Sequence, residues 1–182
     1  LKIINHPLEG GVKPTKMKNL IIGIDPDSEK SGLCIIDKDE KKVIKAEALP
    51  FPELITTIVL HKFLGEIKCV YVEAGWLNKG NYHGRLGDSR AVSAAKGESV
   101  GRNAETGRKI IEMLRYNNIP TCEVKPLRKI WEGPDGKISQ PEILEIIHDF
   151  PKRANQEVRD AAMLAWVQGG YRIRLTKKKI QK

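Results

Sequence analysis

Cysteine is scarce in this chain of 182 residues. Cys34, Cys69 and Cys122 are odd in number, far apart and without a CxxC pair. That is not the pattern of a small secreted domain stapled by disulfides. Each lies in an apolar, strand-like run (LCII, KCVYV, TCEV) and reads as a small buried thiol in a reducing compartment. Histidine is equally sparse. His6, His61, His83 and His148 are scattered, and none pairs with a cysteine at ligand spacing, which argues against zinc. No apolar run approaches the ~20 residues of a membrane helix, and no basic-then-apolar opening marks a secretory signal. The expected location is therefore cytoplasmic.

Apolar residues make up 40% of the chain, enough for a folded core and too many for a disordered basic tail. A domain of this length buries roughly 70% of its unfolded surface, and it is too short for a two-domain kinase or a large polymerase. Lys and Arg number 32 against 23 Asp and Glu, a net charge of +9. Such an excess serves solubility or marks a polyanion partner, most often nucleic acid.

Residues 1–16 carry Gly, Pro and Lys without a period and read as an arm or leader; the domain is expected over 17–170, followed by a basic tail, 171–182. LIIGID, from Leu20, is a continuous apolar run ending in a carboxylate, as in a strand buried on both faces. SGLCIID and VIKAEAL follow, separated by the polar turn Asp37, Lys38, Asp39, Glu40, so three strands in an antiparallel meander are expected. Pro52 suits the first turn of a helix over 53–65, with Ile55, Val59 and Phe63 on one row beside Leu54, Ile58 and Leu64. IKCVYVE is a fourth strand. From Gly75 to about Gly97 the chain is rich in Gly, Asn and basic residues and reads as a loop. Val100, Ala104, Gly107, Ile111 and Leu114 then mark an amphipathic helix ended by Asn117 and Asn118. TCEV is a fifth strand, a short helix starts near Pro141, and Asn155 caps a last helix stopped by Gly169 and Gly170.

Four acids stand out. Asp25 and Glu73 end two apolar strands; if those strands are parallel neighbours, both emerge at one sheet edge, where α/β ligands bind. Glu157 and Asp160, three apart in the first turns of the last helix, share a face. Convergent carboxylates repel unless cations lie between them, and Mg²⁺ or Mn²⁺ prefers oxygen ligands. Two such ions about 4 Å apart activate water and stabilise the leaving oxygen of a phosphodiester. Taken singly, each acid also has a plain structural use: an Asp before Pro caps a turn, a strand can simply end in Glu, and a helix dipole welcomes acids in its first turns.

These segments resemble the RuvC family of Holliday junction resolvases, within the RNase H-like superfamily, over Leu20 to about Gly169. IIGIDPDSEKSGLCIID is similar to the family's first hairpin with its GIDPG-type motif, whose catalytic aspartate matches Asp25. VYVEAGW matches the segment of the second acid, Glu73, with Trp76 at the family's aromatic position. VKPLRKIWEGPDGKISQPEILEII resembles the stretch bearing two lysines, matched by Lys125 and, within one position, Lys137. VRDAAMLAW resembles the DALA-type helix, with Asp160 as final acid and Glu157 where the family has Asp or His. Asp27 replaces the glycine of the GIDPG pattern, and Glu157 is one methylene longer than Asp; both bear on metal geometry. The resemblance implies an α/β, RNase H-like fold: a five-stranded mixed sheet, its first three strands antiparallel and the fourth and fifth parallel, with helices on both faces. It implies catalysis by Asp25, Glu73, Glu157 and Asp160 with Lys137 and Lys125, and the four acids as ligands of Mg²⁺ or Mn²⁺, two ions per site. It further implies a homodimer nicking opposed strands of a four-way junction, leaving 5′-phosphate and 3′-hydroxyl ends.

Candidate DNA contacts are Trp76, Lys79, Tyr82, Arg85 and Arg90 in the loop after Glu73, together with Arg102, Lys125 and Lys137. Basic residues neutralise phosphates and exposed aromatics stack on unpaired bases. Asn81 and His83 share the loop; Trp131 and Trp166 read as packing residues. The tail adds Arg172, Arg174, Lys177, Lys178, Lys179 and Lys182. The expected partner is branched double-stranded DNA, with no membrane and no small-molecule cofactor. Alternatives on the same fold are a nuclease for flaps or RNA–DNA hybrids and a non-catalytic nucleic-acid-binding module. GIDPD…SG is also similar to an actin-like phosphate loop, but that fold needs two such domains.

Overall fold

The computed structural model describes residues 17–78 and 87–173. Five strands form one sheet: β1 (Lys18–Asp25), β2 (Ser31–Asp37), β3 (Lys42–Leu49), β4 (Gly65–Glu73) and β5 (Thr121–Val124), in the order β3-β2-β1-β4-β5. β1, β2 and β3 pair antiparallel, whereas β4 runs parallel to β1 and β5 parallel to β4. Four helices complete the domain: α1 (Phe51–Leu64), α2 (Arg90–Tyr116), α3 (Gln140–Ile146) and α4 (Gln156–Gln168). This is the five-stranded mixed sheet, covered by helices on both faces, expected from the sequence.

Strand alternation divides the core in two. On β1, Leu20, Ile22 and Ile24 pack with Leu33 and Ile35 of β2 against α1 and α2. The intervening positions face the other way: Ile21, with Cys34 and Ile36 of β2, packs against α3 and α4. Both faces of β1 and β2 are thus apolar, which is why these runs show no polar alternation. A shift of register between Leu20 and Ile21 restores pairing with β4, so that Ile22 to Ile24 lie beside Val70 to Val72. The next residues along are Asp25 and Glu73.

α4 approaches the sheet unusually closely. A Cβ added at Gly32 would lie 2.0 Å from the Glu157 carbonyl oxygen, and one at Gly23 would lie 2.1 Å from that of Ala161. Hydrogen in place of a side chain at these strand positions, facing Ala161 and Ala165, lets the helix backbone rest on β1 and β2. Asn155 caps α4, its side chain accepting from the Val158 amide (3.1 Å), and Gly169 closes it.

Three expectations need correction. α1 begins at Phe51, and only Leu54, Ile55 and Ile58 are buried; Phe63 (79% exposed) and Leu64 face outward in its last turn, just before β4 begins at Gly65. The stretch read as loop to Gly97 is helical from Arg90, with the Ser89 side chain accepting from the Val92 amide (3.3 Å). That half of α2 has no buried face, so it lacks the apolar period that betrays a helix. Cys122 is exposed, since β5 is a short edge strand; only Cys34 and Cys69 are buried. The arm 1–16, the tail from 174, and Lys79, Asn81, Tyr82, His83 and Arg85 lie outside the described residues. Among the described residues no helix is long and apolar enough to cross a membrane.

Candidate active site

The parity that puts Ile22 and Ile24 against α1 and α2 puts Asp25 on the opposite face, toward α4. Glu73 shares the face of Tyr71, which packs on the α3–α4 side. α4 brings Glu157 in its first turn and Asp160 one turn on. All four acids line one cavity of about 300 Å³, with Lys137 and Lys129. Its other wall comes from α2, through Val100, Asn103 and Ala104, and from Trp76 and Trp131.

The acids feel one another strongly. Burial above all, then the charges of Glu73 and Asp160, hold Asp25 well above the usual carboxylate range; Lys137 opposes this and Glu157 adds to it. Burial and Asp160 push Glu73 up to about 7, against the charges of Lys137 and Lys129. Lys137 Nζ stands 3.3 Å from Asp160 Oδ2. Burial alone would depress that ammonium, but Asp160, Asp25 and Glu157 outweigh it and keep it cationic. Asp160 is held on its other oxygen by Gln156 Nε2, which donates at 2.8 Å, and Gln156 in turn accepts from Arg159 (2.7 Å). Among the described residues no group of three or more His, Cys, Asp or Glu side chains is placed so that it could hold a metal ion as it stands. The acids line a shared cavity, with the Lys137 ammonium beside Asp160.

Lys137 is presented by a tight loop. Pro134–Gly136 makes one 3₁₀ turn with Asp135 and Gly136 in left-handed conformations, and the Lys137 amide donates to Pro134 (3.0 Å). The buried Glu142 carboxylate fastens both ends of this loop. It accepts from the Glu132 amide (3.1 Å) and from the amide and hydroxyl of Ser139 (2.9 and 2.8 Å).

Trp76 follows Glu73 in a short 3₁₀ turn, Gly75–Leu77, and is packed as well as accessible. Its ring lies over Gly107 of α2, where a Cβ would come within 2.7 Å of it, and the Arg108 guanidinium stands 5.2 Å from its centroid. Its Nε1 donates to Glu123 (3.3 Å), which also pairs with Arg115 (3.1 Å). The ring is thereby fixed as a wall of the cavity. Asp27, the departure from the glycine of the motif, organises the β1–β2 turn. One carboxylate oxygen accepts from the Glu29 amide (2.9 Å) and the other from Asn103 (3.2 Å), which ties α2 to that turn.

Not every predicted contact reaches the cavity. Lys125, just past the end of β5, is exposed and does not line it, whereas Pro126, Leu127, Arg128 and Lys129 do. Arg102 lies on the outer side of α2, paired with Glu98 (3.6 Å), and Arg90 is exposed at its first residue. Sequence reasoning missed Arg128, Lys129 and Asn103. The two cations follow Lys125 closely, but nothing local distinguishes lysines in a polar loop until the fold closes that loop over Glu73.

Neither a protein-family model nor a curated protein matches the chain. Among solved structures it is similar to T. thermophilus RuvC in complex with Holliday junction substrate, at 13% identity over 83% of this chain and 96% of that one, with a TM-score of 0.46.

Proposed function

We propose that the chain is a metal-dependent endonuclease acting on branched DNA, and specifically a four-way-junction resolvase. The observation that carries this is the meeting of Asp25, Glu73, Glu157 and Asp160 in one cavity beside Lys137 and Lys129. Desolvation and mutual repulsion lift Asp25 and Glu73, so the cluster is short of positive charge. An all-oxygen donor set with that deficit suits a hard divalent cation, Mg²⁺ or Mn²⁺, which Asp25, Glu73, Glu157 and Asp160 would hold. When bound, such ions supply the positive charge that activates water and stabilises the leaving oxygen of a phosphodiester.

The chain's own residues do the rest. Asp25 is central, between the strand-end Glu73 and the helical Asp160. Gln156 fixes the rotamer of Asp160. The Lys137 ammonium, at the cavity beside Asp160, would hold a non-bridging phosphate oxygen and stabilise charge as it develops. Lys129 and Arg128 hold flanking phosphates, and the fixed Trp76 face bounds the path of the strand. A homodimer would set two such sites on opposed strands of one junction, giving paired symmetric nicks.

Asp25→Asn removes the central negative charge with little change in shape. Cleavage of a synthetic four-way junction in Mg²⁺ is expected to fall at least about 10³-fold, with junction affinity within about threefold of wild type. Full activity of the variant, or cleavage undiminished in EDTA, contradicts the proposal. The Lys137–Asp160 ion pair supports a second reading, a non-catalytic DNA-binding module in which the ammonium does the work of a metal. Calorimetry separates the two: the module shows no Mg²⁺ or Mn²⁺ uptake at millimolar concentration.

A further inference from the structure

β4 and β5 run parallel at one end of the sheet, with Tyr71 opposite Cys122. Two residues before Tyr71, Cys69 shares its side of the strand, and its sulfur lies 2.9 Å from the Cys122 sulfur. Both are free thiols. β5 is an edge strand, and Cys122 on it is exposed while Cys69 is 8% exposed, so one sulfur of the pair meets solvent and the other sits behind it. Cys34 is fully buried on β2, two strands away from β4. The proposed nuclease chemistry uses none of the three.

We infer that Cys69 and Cys122 form a reversible dithiol–disulfide site, oxidised by a low-molecular-weight disulfide such as glutathione disulfide. The exposed Cys122 reacts first: its thiolate attacks one sulfur of glutathione disulfide, the S–S bond breaks, and glutathione leaves with the electron pair and takes up a proton. Cys69 then loses its proton to solvent and attacks the Cys122 sulfur of the mixed disulfide, expelling the second glutathione. Two protein thiols are oxidised and one glutathione disulfide is reduced to two thiols, so electrons and protons balance. Burial, then the hydrogen bond to Cys122, push the Cys69 thiol up to about 12, which leaves the first attack to Cys122; the second step relies on the contact the two sulfurs already make. Closure from 2.9 Å to a bond of about 2.05 Å is a short side-chain movement. The bond would fasten the edge strand β5 to β4, whose end carries Glu73.

The test uses the full chain, reduced, freed of reductant and exposed to excess glutathione disulfide, followed by intact mass, alkylation of denatured protein and peptide mapping. Wild type is expected to lose two of its three alkylatable thiols and the mass of two hydrogens, to yield a linked Cys69–Cys122 peptide, and to recover fully in dithiothreitol. Cys69→Ser is expected to stop at a stable glutathione adduct on Cys122. Cys122→Ser, a change at an exposed position, is expected to keep both remaining thiols. Three thiols remaining in wild type, a persistent glutathione adduct, or a link through Cys34 or between chains would overturn the inference. The wild-type map decides it even if a variant fails to fold.

Discussion

Asp25 and Glu73 are acids that the fold makes reluctant to ionise, and that reluctance has a measurable consequence. Glu73 titrates at about 7 in the folded chain against an ordinary value of 4.5, chiefly because it is buried. A raised folded pKa means that the native state binds the proton more tightly than the unfolded state. The resulting stability is complete below about pH 4.5 and is lost as pH rises through about 7. Asp25 is displaced in the same direction. In EDTA, the thermal midpoint is expected to fall between these pH values, Glu73→Gln to flatten that fall, and Mg²⁺ to stabilise the protein more at pH 8 than at pH 5. A slope unchanged in Glu73→Gln, followed by differential scanning fluorimetry, contradicts this account of the site. Both acids were legible in the sequence because each ends an apolar run. Lys129 was not, because its proximity to Glu73 is a product of loop closure rather than of spacing. Lys125, conspicuous in the sequence, is exposed outside the cavity.

At the scale of elements, the site depends on how closely α4 lies on β1 and β2. Gly32 opposes the Glu157 carbonyl with no room for a methyl group. Gly32→Ala must push the first turn of α4 outward, and overpacking of this kind costs about 1–3 kcal/mol. Urea denaturation is expected to show that loss. Cleavage should fall further than the folded fraction does, because Glu157 and Asp160 move with the turn; a variant as active and stable as wild type removes α4 seating from the account. The strand and cap pattern of this region was readable: apolar runs buried on both faces leave no polar alternation, and Asn155 precedes the helix. The first half of α2 was unreadable for the converse reason. A helix exposed all round carries no period, and only the Ser89 cap announces it.

For the molecule as a whole, the question is where a charge of +9 is spent. Part of it meets the acids directly: Lys137 and Lys129 stand at the cavity and lower the cost of gathering carboxylates there. Arg128 and Lys129 extend that positive charge along its rim. If Lys129 holds a DNA phosphate, Lys129→Ala should weaken binding to junctions of different sequence alike. It should also reduce the slope of log affinity against log salt by roughly 0.9, the share of one phosphate on duplex DNA. Anisotropy titrations at several salt concentrations read both effects, and an unchanged slope denies the contact. The antiparallel meander followed from the sequence because short links join its three strands, whereas the parallel directions of β4 and β5 were expected only from the family resemblance, and the order of the strands came from the structure. Lys79, Tyr82 and Arg85 fall within 79–86, outside the described residues, and their part in DNA binding stands on sequence alone.

The central claim is that these acids cut branched DNA with the help of a divalent ion. Mapping cleavage on a synthetic four-way junction, each strand labelled in turn, with Mg²⁺ and with EDTA, tests it most directly. The account predicts paired nicks placed symmetrically across the junction, with 5′-phosphate and 3′-hydroxyl ends, in Mg²⁺ only. Cleavage that persists in EDTA, or an intact junction bound in Mg²⁺ by fully folded protein, would contradict it.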